Sequence, residues 1–286
     1  MKPRSLVLAA ALSLAATPAF AQTPVPTPPA APVGMVDDPC IDAPVVPASL
    51  IAYFRSSFGP ADKRLPRPTD LGPFLAAQEA ARASDWAQRC FYRADNARDA
   101  ALPQAQRRVV YMGDSITQLW GFADPAFFTA GRIDRGISGQ TTAQMLLRFM
   151  SDVVALHPAM VHIMAGTNDI AGNTGPVSMQ DVQNNIIAMA TLARANGIKV
   201  VLASIPPAGT FAWRPALKPA PQIAALNAWL KDYARKTGAT YVDYYTLMAT
   251  PEGAMRPAFT MDGVHPNAAG YAAIKSLSAA VTGAHR

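Results

Sequence analysis

From Arg107 onward, short apolar runs alternate with longer stretches in which apolar residues return every third or fourth position. The runs Val109–Met112, the residues around Ile133, Met160–Ala165, Lys199–Ser204 and Thr240–Asp243 read as five strands, each short and flanked by turn residues. Thr142–Leu156, Met179–Asn196, Pro221–Thr237 and a last stretch from near Pro266 to Ala280 read as helices. Pro158, Gly197 and Gly238 stand where such helices should stop. Strands that are apolar on both faces and separated by helices imply a parallel sheet covered on each side. The fold class predicted is therefore α/β, a three-layer αβα sandwich with a five-stranded parallel sheet. In sheets of this kind ligands bind outside the carboxyl ends of the strands.

Before Arg107 the pattern changes three times. Lys2 and Arg4 precede an apolar run from Leu6 to Ala16, and Ala19-Phe20-Ala21 offers a small-x-small cleavage site, so residues 1–21 read as a secretory signal peptide cut after Ala21. An uncleaved amphipathic anchor is the alternative. Residues 22–36 are too rich in proline for helix or sheet and read as an extended spacer. Residues 37–106 read as a helical extension packed on the body, since their apolar inventory is thin for independent folding. Its clearest element is a helix from Leu71 to about Arg98, with Asp70 as cap and Phe74, Ala77, Ala81 and Trp86 on one face. Residues 107–286 read as the α/β body, a single domain.

Charge and cysteines add modest constraints. The formal charge of +6 includes Lys2 and Arg4 of the leader, and no dense Lys/Arg block or zinc motif is present, so no nucleic-acid partner is expected. Past the leader no apolar stretch reaches membrane length, which argues against stable membrane insertion. The histidines at 157, 162, 265 and 285 lack ligand spacing; neither a metal nor a cofactor is expected. In an exported chain the pair Cys40 and Cys90 favours a disulfide over two buried thiols, and it would contribute about 2–4 kcal/mol. The expected location is the periplasm or the exterior of a bacterium.

Four blocks then carry chemistry: Gly113-Asp114-Ser115-Ile116-Thr117, Gly136-Ile137-Ser138-Gly139, Gly166-Thr167-Asn168-Asp169 and Asp262-Gly263-Val264-His265. The first three follow strands one, two and three, and the fourth opens the last helix, so the topology gathers all of them at one edge. Ser115 is a candidate nucleophile, which needs a base within hydrogen-bond reach. His265 is that base, and Asp262, three residues earlier, can hold its Nδ1–H and leave Nε2 for the serine proton. The backbone N–H groups of Ser115 and Gly139 and the Asn168 amide are candidate oxyanion donors. Taken singly, each block also reads as a helix cap or a turn. Asp114 and Asp169 read as loop-fixing carboxylates and His162 as a structural histidine.

Together the blocks resemble the SGNH hydrolases, also called GDSL esterases and lipases, over Val109 to Ile274. Ser115, Gly139, Asn168 and His265 fall on the four signature positions and Asp262 on the carboxylate of the Asp-x-x-His block; Ile116 replaces the leucine of the family name. The resemblance implies a five-stranded, flavodoxin-like αβα fold and carboxylic-ester hydrolysis through an acyl-enzyme. No Gly-x-Ser-x-Gly elbow surrounds Ser115, which disfavours the α/β-hydrolases. The loop after strand four places Phe211, Trp213 and Arg214 at the active edge, where they are expected to wall the substrate pocket; the alternative is that they cover the sheet. Short acyl, especially acetyl, esters of small molecules or glycans are the favoured substrates. Carbohydrate O-deacetylation, lysophospholipid or thioester hydrolysis, and a non-catalytic glycan-binding role are the alternatives.

Overall fold

A computed structural model of the 286-residue chain describes residues 34–40, 44–129 and 131–283. It divides at Pro39 into Met1–Pro39 and Cys40–Arg286, and the fold below belongs to the second unit. The expected leader, and all but the last three residues of the expected spacer, lie outside the described residues.

Three helices come first: α1 (Ala48–Ser57), α2 (Gly72–Ser84) and α3 (Arg93–Ala100). The body then runs β1 (Val109–Gly113), α4 (Ser115–Ala123), α5 (Pro125–Thr129), β2 (Arg132–Gly136), α6 (Thr142–Asp152), β3 (Met160–Met164) and α7 (Thr167–Ile170). It continues through α8 (Met179–Ala195), β4 (Lys199–Ala203), α9 (Ala220–Thr237), β5 (Thr240–Val242), α10 (Tyr244–Met248) and α11 (Ala268–Thr282). All strand pairs are parallel, in the order β2-β1-β3-β4-β5. That order reverses direction after β1, which opens the crevice between the carboxyl ends of β1 and β3.

Two cores flank the sheet, and the period of two along each strand feeds them alternately. Val110 and Met112 of β1, with Val200 and Leu202 of β4, join α6, α8 and α9 through Met145, Phe149, Ile186, Met189, Ile223 and Leu226. Val109, Tyr111, Val201 and Ala203 face the other way, against Trp120 of α4, Phe127 of α5, Tyr244 of α10 and Tyr271 and Ile274 of α11. The helices begin where side chains satisfy their free N–H groups: Asp114 accepts from Ile116, Thr141 and Gln144 form a capping box, Ser178 pairs with Asp181, and Asn267 accepts from Gly270. The last helix starts at Ala268, two residues past Pro266.

The expected helix over Leu71–Arg98 is corrected to two. Leu71, not Asp70, precedes the first turn, and no side chain caps it. After Ser84 the Asp85 carboxylate accepts the Cys90 N–H at 2.8 Å, an alternative to the helical ladder, and Gln88 adopts a left-handed φ of 53°. Trp86 accordingly sits outside the helix and is 46% exposed. Cys40 and Cys90 are joined by a disulfide across this turn. Phe54 of α1 stacks on Phe122 of α4, and Phe58 meets the edge of Tyr271 of α11, so α1 lies against the second core.

Candidate active site

Ser115 is the first residue of α4, immediately beyond β1. This start is tight: a Cβ on Gly113 would lie 2.0 Å from Thr117 Oγ1, and one on Gly136 would lie 2.2 Å from the Gln118 nitrogen. Only glycines at these strand ends allow α4 to turn so close to the sheet. Ser115 Oγ lies 2.9 Å from His265 Nε2, and His265 Nδ1 lies 2.7 Å from Asp262 Oδ2. With Nδ1–H donating to the carboxylate, Nε2 is left to accept the serine proton.

The turn that presents His265 is self-organised. Asp262 Oδ1 accepts the N–H groups of Val264 and His265, and Thr260 Oγ1 accepts those of Asp262 and Gly263 while donating to the His265 carbonyl. Burial would raise the Asp262 pKa, but the imidazole bond and charge and the two backbone N–H groups outweigh it and hold it at about 2. Tyr271 Oη donates to the Ile116 carbonyl at 2.8 Å, tying α11 to the helix that begins at Ser115.

The remaining blocks converge on the same cavity, which has a volume of about 520 Å³. Gly139 has a φ of +81°, favoured by glycine, and a Cβ there would meet no atom within 4 Å. Neither the Ser115 nor the Gly139 N–H has a protein acceptor among the described residues. Asn168 is 4% exposed, and its Nδ2 donates to the Gln140 carbonyl at 3.0 Å and to Asp114 Oδ2 at 3.2 Å. Asn173 Nδ2 donates to Asn168 Oδ1 at 2.7 Å and so fixes which face of the amide points inward. Asp169 accepts the Thr142 N–H and hydroxyl, locking the third block to α6. Burial lifts the Asp114 carboxyl to about 6, against the Ile116 N–H and the His265 charge.

Of the three residues expected to wall the pocket, only Trp213 lines the cavity. A turn closed by the Arg214 N–H on the Phe211 carbonyl sends their side chains apart. Phe211 has no exposed surface and stacks beneath Trp213, while Arg214 Nε reaches the Ala171 carbonyl at 3.4 Å. The expectation of wall contact is corrected for both. Trp213 is 41% exposed, and its Nε1 donates to Asn173 Oδ1. Sequence reasoning missed another wall, Tyr53, Phe54 and Ser57 of α1 and Phe58 just after it, as well as Asn173 and Met261. A larger cavity of about 900 Å³ lies between the N-terminal helices and β2 and shares Tyr53, Phe54, Leu119 and Ser138 with this one. Ser115 and His265 face only the smaller.

Residues 111–273 match the GDSL-like Lipase/Acylhydrolase family. The chain belongs to this family. A crystal structure from Bacteroides fragilis NCTC 9343, assigned to the acylhydrolases, is 46% identical, with 69% of this chain and 97% of that one covered at a TM-score of 0.67. A GDSL-like lipase from Bacteroides thetaiotaomicron VPI-5482 is 45% identical, covering 69% and 98%, also at 0.67. An uncharacterized lipoprotein of Bacillus subtilis, YqeF, is 40% identical over 73 residues, which span 24% of this chain and 30% of that protein. The GDSL family member described here is a carboxylic ester hydrolase with the five-stranded αβα fold. Among the described residues no helix is long and apolar enough to cross a membrane, and no group of three or more His, Cys, Asp or Glu could hold a metal ion.

Proposed function

We propose that the chain is an exported serine esterase that cleaves short acyl, especially acetyl, esters through an acyl-enzyme. The observation that carries this reading is the relay from Ser115 Oγ through His265 to Asp262, at 2.9 and 2.7 Å, opening onto a cavity that also holds Gly139 and Asn168. Ser115 Oγ attacks the ester carbonyl as His265 Nε2 takes its proton. The Asp262 carboxylate stabilises the imidazolium that forms and stays charged itself. The negative oxygen of the tetrahedral intermediate is met by the N–H groups of Ser115 and Gly139 and by Asn168. Asn168 keeps its 3.0 Å bond to the Gln140 carbonyl and shares the hydrogen of its longer bond to Asp114 with the oxyanion. Collapse releases the alcohol with the proton from His265. Water then attacks the acyl-serine with His265 again as base, and the free acid leaves.

A modest cavity between α1 and Trp213 supports short acyl groups, and the disulfide supports an oxidising compartment after removal of the leader. Trp213 favours a second reading, O-deacetylation of a carbohydrate, because an exposed ring at the cavity mouth suits the flat face of a sugar. The test is hydrolysis of p-nitrophenyl esters from acetate to palmitate, with an acetylated oligosaccharide in parallel, by the mature protein and its Ser115→Ala variant. Turnover that falls with chain length and vanishes in the variant is expected. Full activity in the variant would refute the mechanism, and acetate release from the oligosaccharide alone would select the second reading.

A further inference from the structure

The loop that carries Gly139 is held by contacts outside the four blocks. Gln140 is 1% exposed. Its Nε2 donates to the Ala87 carbonyl at 2.9 Å, in the turn between α2 and α3, and at 3.3 Å to Gln88 Oε1. Its Oε1 accepts from Arg148 Nε at 2.6 Å, and its own carbonyl accepts from Asn168 Nδ2 at 3.0 Å. One side chain thus joins the N-terminal layer, a buried cation and, through the backbone, the candidate oxyanion amide.

Arg148 is the stiff end of this arrangement. It has no exposed surface, and its remaining donors go to Asp152 Oδ2 and to the Gly113 and Arg135 carbonyls, at the carboxyl ends of β1 and β2. The N-terminal layer is fastened around it. Gln144 Nε2 donates to the Trp86 carbonyl, Tyr92 Oη to the Gly136 carbonyl and Asn96 Nδ2 to Asp152 Oδ1, while Arg135 donates to Asn96 and Asp99. By contrast Gly139 itself has open space where a Cβ would be and a left-handed φ, so its own packing restrains it little.

We propose that Gln140 is a positioning residue for the oxyanion hole. By bridging Ala87 and Arg148 it fixes the direction of the Gly139 N–H and, through its carbonyl, the rotation of the Asn168 amide. The N-terminal layer, outside the residues that match the family, thereby becomes part of the catalytic apparatus. Donors to the oxyanion act only in the transition state, so loosening them lowers kcat and leaves KM unchanged. A displacement of about 1 Å can cost about 10²-fold in rate.

The inference rests on the esterase reading above, and its test separates the two. Gln140→Met keeps the volume and removes all three side-chain bonds; Leu230→Ala, a buried leucine of α9 outside the four blocks, controls for lost stability. Steady-state hydrolysis of p-nitrophenyl acetate and the rate at which a fluorophosphonate labels Ser115 are read well below each variant's unfolding midpoint. Gln140→Met is expected to lose about 10–100-fold in kcat and in labelling rate with KM unchanged, while Leu230→Ala keeps both rates. Equal rates in Gln140→Met and the parent, or an equal loss in Leu230→Ala, would overturn the proposal while leaving the esterase reading intact. A parent whose Ser115 resists the probe would overturn both.

Discussion

At Asp262, burial and hydrogen bonding pull in opposite directions, and the hydrogen bonds win: two backbone N–H groups and the imidazole hold the carboxyl at about 2. It is therefore ionised throughout the range in which an ester hydrolase is assayed, and a proton does not compete for the oxygen that orients His265. Asp262→Asn should keep the loop's shape and yet present a donor where the imidazole needs an acceptor, which forces the wrong tautomer. The expected loss in kcat is on the order of 10⁴, measured on p-nitrophenyl acetate. A loss below tenfold would mean that another group orients the ring. The four polar residues of the site, Ser115, Asn168, Asp262 and His265, were legible along with Gly139 because each lies in a short local block at a strand or helix end. Gln140, Asn173 and Thr260 were not, since their roles come from contacts with distant segments or from the shape of a loop. Phe211 and Arg214 were misplaced for the same reason, a tight turn that buries the first beneath Trp213 and takes the second to the Ala171 carbonyl.

The strands show how far apolar patterning reaches. Their runs fall within a residue or two of β1, β3, β4 and β5 because a buried parallel strand must be apolar on both faces. The α2–α3 break escaped, because periodicity does not register a carboxylate bonding the Cys90 N–H or a disulfide closing over the turn. Strands β2 and β3 also bury charge-bearing groups whose titration opposes each other. Burial lifts Asp134 of β2 to about 7, against a bond from the Gly136 N–H, and presses His162 of β3 down to about 3. A carboxyl raised above its unfolded value of about 4 contributes stability below that pH, which is lost as pH rises to about 7. For His162 the sign reverses: stability present above about 6.5 is lost as pH falls toward 3. Asp134→Asn retains an acceptor for the Gly136 N–H and should remove roughly 2–4 kcal/mol of loss between pH 4 and 8. Urea unfolding at several pH values checks this; a variant whose stability tracks the parent's would place that slope on another group.

Across the whole molecule, the disulfide closes a separation of 50 residues and anchors the turn that supplies the Trp86 and Ala87 carbonyls to α6 and its preceding loop. Reduction, or Cys90→Ser, should lower stability by about 2–4 kcal/mol, read as a lower unfolding midpoint in urea. An unchanged midpoint would show that packing of α1 on α4 suffices. The order of the chain has a separate meaning in time. Ser115 and His265 are 150 residues apart, and α11 reaches the helix that begins at Ser115 through Tyr271. Every folding intermediate that lacks a docked C-terminal segment therefore carries a serine with no base, an ordinary alcohol. A chain still in synthesis should be chemically silent, and the appearance of turnover during refolding should clock the arrival of its last helix.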